Sequence, residues 1–179
     1  MTARRLFAVG IASLFIFGVA CGGGGGGGSG GGASNTWVGK VEETDAYAAM
    51  LIKGTTRFVY VTDGKGVNYL FKGQIGETDL SNYFTLRDDQ SHVLNVQAPQ
   101  GNTFRGLITV SAGTHLSFSV SPVKGEAGLY RAKEGSADSY WIVLEDATFR
   151  GAKLGPDGKI IETLAARGGV KWTDPTVEP

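Results

Sequence analysis

The amino-acid sequence predicts an all-β fold: an antiparallel up-and-down meander closed as a barrel of eight or slightly more strands, with extra C-terminal strands. From Trp37 onward, apolar and polar residues alternate with a period of two. Turn-forming residues interrupt this alternation about every ten positions. Helical periodicity between the strands, which a parallel α/β sheet requires, is missing up to Pro122. Closure is expected because it removes exposed strand edges.

Eight alternating segments account for the predicted barrel. The first four are joined by turn residues that include the tight turn Asp-Gly-Lys-Gly at residues 63–66. The last strand is the cleanest, because Leu116, Phe118 and Val120 face away from polar neighbours. The eight segments are residues 37–42, 47–53, 57–62, 67–72, 84–86, 94–98, 104–110 and 115–120.

A second block of strands follows Pro122. Residues 128–132, 140–144 and 149–154 predict further strands, and residues 155–158 predict a further turn. Ile160, Ile161, Leu164 and Ala165 are spaced as in a helix, which predicts a short helix capped near Gly168 and Gly169. A strand over residues 159–164 is the alternative.

The N-terminal residues have the order of a secretory signal peptide. Arg4 and Arg5 precede an apolar run at residues 6–20, and this run is short for a membrane-spanning helix, which needs roughly 20 residues. Small residues at Gly18 and Ala20 precede Cys21, the only cysteine.

This segment resembles the lipobox of bacterial lipoproteins, although Gly18 stands where Leu or Val is most common. The resemblance implies cleavage before Cys21, a diacylglycerol on its thiol and acylation of the new amino terminus. Since Gly22 is not acidic, it also implies the outer membrane as the destination in a cell that has one. The alternative is an ordinary cleaved signal with an incidental cysteine, which would leave a reactive lone thiol.

The expected organisation has four parts. Residues 1–20 form the cleaved signal, and residues 21–35 form a lipidated tether in which ten of the residues 22–32 are glycine. Such a composition predicts a flexible coil. Residues 36–173 form a single barrel-like domain, and residues 174–179 form a disordered tail.

Charge and composition exclude several classes of function. Removing Arg4 and Arg5 from the 17 basic side chains leaves 15 against 17 acidic ones, a formal charge of −2. Nucleic-acid binding is disfavoured because it needs clustered basic residues. Disulfides are not expected in the domain, since Cys21 lies outside it.

No catalytic set or metal site is evident in the sequence. The two histidines, His92 and His115, are expected on the surface or at strand edges, and they are too few for a zinc site. The acidic pairs 42–43, 88–89 and 145–146 are expected to solvate turns and strand ends, because adjacent strand residues point to opposite faces. We therefore expect no cofactor and no metal.

Aromatic residues occur on nearly every predicted strand and are expected to form the barrel core. The alternative is a pocket at the barrel mouth, lined by Tyr130 and Trp141, in which Arg131 or Arg150 fixes a polar or anionic group. These four residues are the candidate ligand-binding set.

Strand count and connectivity resemble those of small calycin-like barrels, without a lipocalin or avidin motif. Residues 127–132, 141–144 and 149–151 resemble segments of uncharacterised secreted bacterial β-domains. Neither resemblance implies an activity. The leading hypothesis is a non-catalytic envelope lipoprotein that binds a small ligand or a protein partner near the membrane. An envelope hydrolase using paired carboxylates and a structural or assembly component of the envelope are the alternatives.

Overall fold

The computed structural model describes residues 35–76, 83–164 and 169–176. The predicted signal peptide, Cys21 and residues 22–34 lie outside the described residues. The described chain is all-β and antiparallel, as predicted, and forms two sheets. The first sheet contains β1 (Thr36–Lys40), β2 (Tyr47–Lys53), β3 (Thr56–Thr62), β4 (Asn68–Gln74), β5 (Tyr83–Arg87), β6 (Val93–Gln100), β7 (Thr103–Ser111) and β8 (Thr114–Pro122). The second contains β9 (Gly128–Glu134), β10 (Ala137–Val143), β11 (Phe149–Leu154), β12 (Ile160–Thr163) and β13 (Val170–Lys171).

The first sheet is a nearly closed eight-stranded barrel, and it is closed by its first and last strands. Its order is β4-β3-β2-β1-β8-β7-β6-β5, so consecutive strands pair except for β4 and β5, and β8 returns to pair with β1. Trp37 lies opposite Pro122 and Val38 opposite Ser121. The remaining opening lies between β4 and β5, where the side chain of Leu86 occupies the space beside Gly73. The predicted meander is confirmed.

The turn at residues 63–66 is also confirmed. The Asp63 carboxylate accepts hydrogen bonds from the backbone N–H groups of Lys65 (2.7 Å), Gly66 (2.9 Å) and Val67 (3.0 Å). Gly64 has a φ of 75°, a left-handed conformation that glycine adopts without a steric cost. One side chain therefore fixes the turn that sets the register between β3 and β4.

The second sheet contains the C-terminal strands, in the order β12-β11-β10-β9-β13. The helix predicted near residue 160 is wrong for the described residues, because Ile160–Thr163 pairs with β11 as the strand β12. A register shift at Lys153 and Leu154 places Ile160 opposite Leu154 and leaves Ile161 exposed. This irregular edge mimics helical spacing in the sequence. The two-residue strand β13 is too short for a period-two signal.

The described part of the chain has two apolar cores, one inside the barrel and one between the barrel and the second sheet. All seven residues of β3 are buried, because Val59 and Val61 face the barrel interior while Phe58 and Tyr60 face the second sheet. The aromatic residues are therefore divided between the two cores. The prediction that they fill the barrel holds for Phe71, Phe84 and Phe118. It is wrong for Tyr60 and Tyr140, which lie in the layer between the sheets.

Aromatic side chains dominate this second core. The Phe58 ring contacts those of Trp172 (4.6 Å between centroids) and Tyr140 (5.6 Å). Each such pair stabilises a core by about 0.5–1.5 kcal/mol beyond the burial of its area. Burial raises the pKa of the Tyr60 phenol above its usual range, while the nearby Thr62 hydroxyl and Ala152 backbone oppose this effect. Through these aromatic contacts, the second sheet packs on the outer face of β2 and β3.

Candidate functional site

The interior of the barrel is occupied by its own side chains. Fourteen residues bury 93 to 100% of their surface in this cluster. Among them Phe71, Phe118 and Leu94 belong to the largest fully buried side chains of the described chain. A binding site must therefore be sought on the outer surface.

The four residues of the candidate ligand-binding set do not share one surface. Tyr130 lies opposite Trp141 on one face of the second sheet, and their rings stack at 5.7 Å. Arg131 lies opposite Tyr140 on the other face. Arg150, opposite Ile142, is on the same face as Arg131. The structure therefore pairs the aromatics with each other and separates them from the arginines.

Arg131 is held by contacts within the fold. Its Nη2 and Nε donate to Asp138 Oδ1 at 2.8 and 3.2 Å. Its guanidinium lies 5.1 Å from the Trp172 ring centroid and 5.5 Å from that of Tyr140. A buried cation stacked on two rings stabilises the layer between the sheets. This environment accounts for Arg131 without a ligand.

Trp141 and Arg150 have different surroundings. Trp141 is 1% exposed, and its Nε1 has no hydrogen-bond partner among the described residues. Arg150 donates from Nη1 to the backbone oxygen of Phe149 at 2.9 Å and lines a surface groove with Asp45 and Asp63. Arg150 therefore lies at a surface groove, whereas Trp141 is buried.

The outer face of β5–β8 is the half of the barrel that the second sheet does not cover. It carries a groove of about 540 Å³, which we call the outer groove. Tyr83 and Leu107 are 54% and 39% exposed there, although both are large and apolar. The outer groove is lined by Glu42, Tyr83, Asn95, Gln97, Arg105, Gly106, Leu107, Ser117, Phe118 and Ser119.

Hydrogen bonds order the Tyr83 side of the outer groove. Asn95 Oδ1 accepts from the hydroxyls of Tyr83 (2.9 Å) and Thr85 (2.8 Å). Its amide N–H groups stay available, since both bonds use the oxygen. The Arg105 guanidinium is exposed and forms no ion pair within the described part of the chain. The groove therefore offers an apolar ring, donors and one unpaired positive charge.

The floor of the outer groove is backbone supported by an aromatic ring. A Cβ atom on Gly106 would lie 2.1 Å from Cζ of Phe118, so the ring occupies the space that a side chain would need. Residue 106 must remain small for the groove to keep its depth. Leu107 is a sequence signal for this site, because it is an apolar residue at an outward position of β7, between inward-facing Gly106 and Ile108.

A second polar cluster surrounds His92. The Asp88 carboxylate accepts from the backbone of His92 (2.8 Å) and Gln90 (3.0 Å), and its Oδ2 lies 2.6 Å from His92 Nδ1. The two side chains are only 5% and 12% exposed. The prediction that both histidines lie on the surface or at strand edges is correct, because His115 is exposed and His92 directly precedes β6. Asp88 does more than solvate a turn, since its carboxylate contacts the His92 ring.

Tyr69 completes the His92 cluster. Its ring meets that of His92 edge to face at 4.8 Å. Burial raises the pKa of the Tyr69 phenol, and the charges of Asp88 and Asp63 add to this effect. Both rings line a groove of about 340 Å³ with Asn68, Gln90 and Lys159. The sequence signal that could have found the pair is Asp88 and His92 four residues apart across a hairpin loop.

The described residues contain no group of three or more His, Cys, Asp or Glu side chains able to hold a metal ion. Within the same ranges, none of the chain forms a helix with the length and apolar character needed to cross a bilayer.

Comparison with known proteins adds no relative. No protein family, curated protein or solved structure matches this chain.

Proposed function

We propose that this chain is a lipid-anchored protein of the cell envelope whose β domain binds a partner protein through the outer groove. The observation that carries the proposal is the pair of exposed apolar side chains, Tyr83 and Leu107, beside an unpaired Arg105 on the uncovered half of the barrel. Tyrosine and arginine are over-represented among the residues that dominate the binding energy of protein interfaces.

The chemistry of the outer groove indicates what the partner presents. Apart from Arg105 and Glu42, its polar groups are neutral amides and hydroxyls, which favour a mixed rather than a strongly charged surface. A carboxylate on the partner would meet Arg105. An apolar side chain would lie between Tyr83 and Leu107.

The anchor is supported by the N-terminal sequence. Arg4 and Arg5, the apolar run and the small residues before Cys21 fit a lipidated signal. Two or more acyl chains make membrane attachment stable, whereas one chain holds only marginally. A glycine-rich tether of about 14 residues reaches roughly 20 Å, so the domain would stay close to the membrane surface.

Quantitative capture from solubilised envelope membranes tests the binding function. The wild-type chain is compared with the double variant Tyr83→Ala/Arg105→Ala and with the control Ile161→Ser, an exposed apolar site on the second sheet. A partner that the wild type and the control retain is then purified. We expect the double variant to bind it at least about tenfold more weakly. Equal affinity of all three chains for every captured protein refutes the role of the groove.

A hydrolase is the second candidate function, and the Asp88–His92 pair favours it. A histidine oriented by a carboxylate at Nδ1 can accept a proton at its other ring nitrogen. This pair differs from the paired carboxylates that the alternative hydrolase hypothesis invoked.

Screening the purified chain against esters, glycosides and peptides distinguishes the two functions. In the enzyme, His92→Gln and Asp88→Asn each lower turnover by about 10²-fold or more, while the control His115→Gln leaves it unchanged. Turnover that all three variants retain excludes His92 as the catalytic base.

A further inference from the structure

An apolar cleft opens where the barrel meets the second sheet, and its lining shares no residue with that of the outer groove. Its volume is about 440 Å³, within the usual range for small-molecule sites. We call it the junction cleft. Its apolar lining consists of Val38, Tyr47, Pro122, Val123, Ala127 and Leu144.

The junction cleft continues the apolar layer between the sheets to the surface. Val38, Tyr47 and Leu144 are half-buried and pack against the core that contains Phe58 and Tyr140. An apolar molecule in the cleft would therefore extend an existing packed core, and it would remove these side chains from water.

Two carboxylates stand on the rim of the junction cleft. Glu145 and Asp146 line it, and both are exposed. Asp146 Oδ1 accepts from the hydroxyl (2.7 Å) and backbone N–H (2.9 Å) of Thr148. The hydroxyl bond is the main cause of the lowered pKa of Asp146, so this carboxyl is ionised at neutral pH. Neither acid forms an ion pair with a lysine or arginine of the described ranges.

We propose that the junction cleft binds a small amphipathic cation, with its apolar body against Val38 and Leu144 and its ammonium group beside Glu145 and Asp146. The apolar lining selects for the body, and the rim charge, which Arg150 offsets at Asp146 without forming an ion pair, selects for the positive head. The rim disfavours an anion of the same shape by charge repulsion. This site shares no lining residue with the proposed partner surface.

Three probes that share a 4-phenylbutyl body and differ in the head group test the proposal: 4-phenylbutyltrimethylammonium, 4-phenylbutanol and 4-phenylbutanesulfonate. They are titrated calorimetrically into the full chain carrying Cys21→Ala, so that neither lipid nor detergent competes. We expect the ammonium to bind at least about tenfold more tightly than the alcohol, which corresponds to the contribution of one well-placed charge interaction. The sulfonate should bind most weakly. Equal affinities for all three probes, or no binding of the ammonium, overturn the proposal.

Variants separate the two parts of the recognition. Glu145→Gln/Asp146→Asn should lower ammonium affinity about fivefold to tenfold and leave alcohol affinity unchanged. The matched control is Asp157→Asn, because Asp157 is also an exposed turn acid, whose Oδ1 accepts from the Lys159 backbone at 3.2 Å. Loss of ammonium preference in the control, or its survival in the double variant, contradicts the rim assignment.

The apolar half has its own test. Leu144→Gln should weaken both the ammonium and the alcohol, and the thermal midpoint of unfolding shows whether the variant is folded. If Leu144→Gln does not fold, Val38→Thr makes the same test. Unchanged binding in a folded variant refutes the apolar contact. Concentration-dependent dimerisation that the ammonium does not weaken would assign the cleft to a second copy of the chain and overturn the proposal.

Discussion

A Cβ atom on Gly39 would stand only 1.8 Å from the carbonyl oxygen of Ser119. β1 and β8 therefore approach backbone to backbone at this point, between the pair Val38–Ser121 and the bridge Val41–Phe118. This contact is the seam that closes the barrel. A side chain at residue 39 cannot fit without moving one of the two strands.

Because of this contact, we expect a small side chain at residue 39 to destabilise the barrel strongly. Gly39→Ala should lower the free energy of unfolding by at least about 2 kcal/mol, because the obstacle is backbone and cannot rotate away. Gly66→Ala is the control, since nothing lies within 4 Å of a Cβ atom there. It should change stability by less than about 1 kcal/mol. Urea denaturation measures the free energy of unfolding of both variants. Equal destabilisation by Gly39→Ala and Gly66→Ala would refute the close contact at residue 39.

Arg131 should prove to be a structural residue. Arg131→Met removes the bond to Asp138 and the contacts with Tyr140 and Trp172, and it should cost about 1–3 kcal/mol. Arg87→Met, at an exposed position on β5, should stay within about 0.5 kcal/mol of the wild type. Thermal denaturation of the two variants tests this prediction. If Arg131→Met is as stable as wild type, the structural role is refuted and Arg131 is again a candidate ligand-binding residue.

The contact between Lys53 and Asp174 predicts a pH effect. The hydrogen bond from Lys53, aided by Thr176, lowers the pKa of Asp174 to about 2. A depressed folded-state pKa gives stability that is present above the unfolded value of 3.8 and is lost as pH falls toward 2. Asp174→Asn should therefore be less stable than wild type at pH 6, and the difference should shrink between about pH 4 and 2.

Urea midpoints measured across this pH range make the comparison. Lys53→Gln serves as a second variant, because it removes the other partner and should show the same convergence with wild type. A stability difference that stays constant down to pH 2 would show that the ion pair does not stabilise the fold.

Cys21 should carry the membrane anchor. The wild-type chain should incorporate radiolabelled palmitate and sediment with membranes, whereas Cys21→Ser should do neither. Serine keeps the size of the side chain but lacks the thiol. Equal labelling of both chains, or no label on the wild type, would disprove lipidation at this residue.

The barrel could be predicted from the sequence because its signals are local. Alternation in β1–β8 and the Asp63 turn specify strands and register within a few residues. The apolar layer between the two sheets could not be predicted from the sequence. Period two places Phe58 and Tyr60 on the face opposite Val59 and Val61, but both sets are apolar, and nothing local shows which face lies inside.

The sites were harder to predict because they depend on contacts distant in sequence. Arg131 looks like a free cation until Trp172, 41 positions later, is brought beneath it. Likewise, the outer groove exists because the second sheet covers β2 and β3 and leaves β5–β8 exposed. Leu107 was a local signal for the outer groove, since an outward leucine on an otherwise polar face of β7 has no role in the core.

Site-specific photo-crosslinking in intact cells tests the proposed function most directly. A photoreactive residue replaces Leu107 in the outer groove or, as the control, Ile161 on the second sheet. The groove position should give a discrete protein adduct that the control position does not give, and adding Arg105→Ala should weaken it. No adduct from position 107, or the same adducts from both positions, would contradict a partner-binding role for the outer groove.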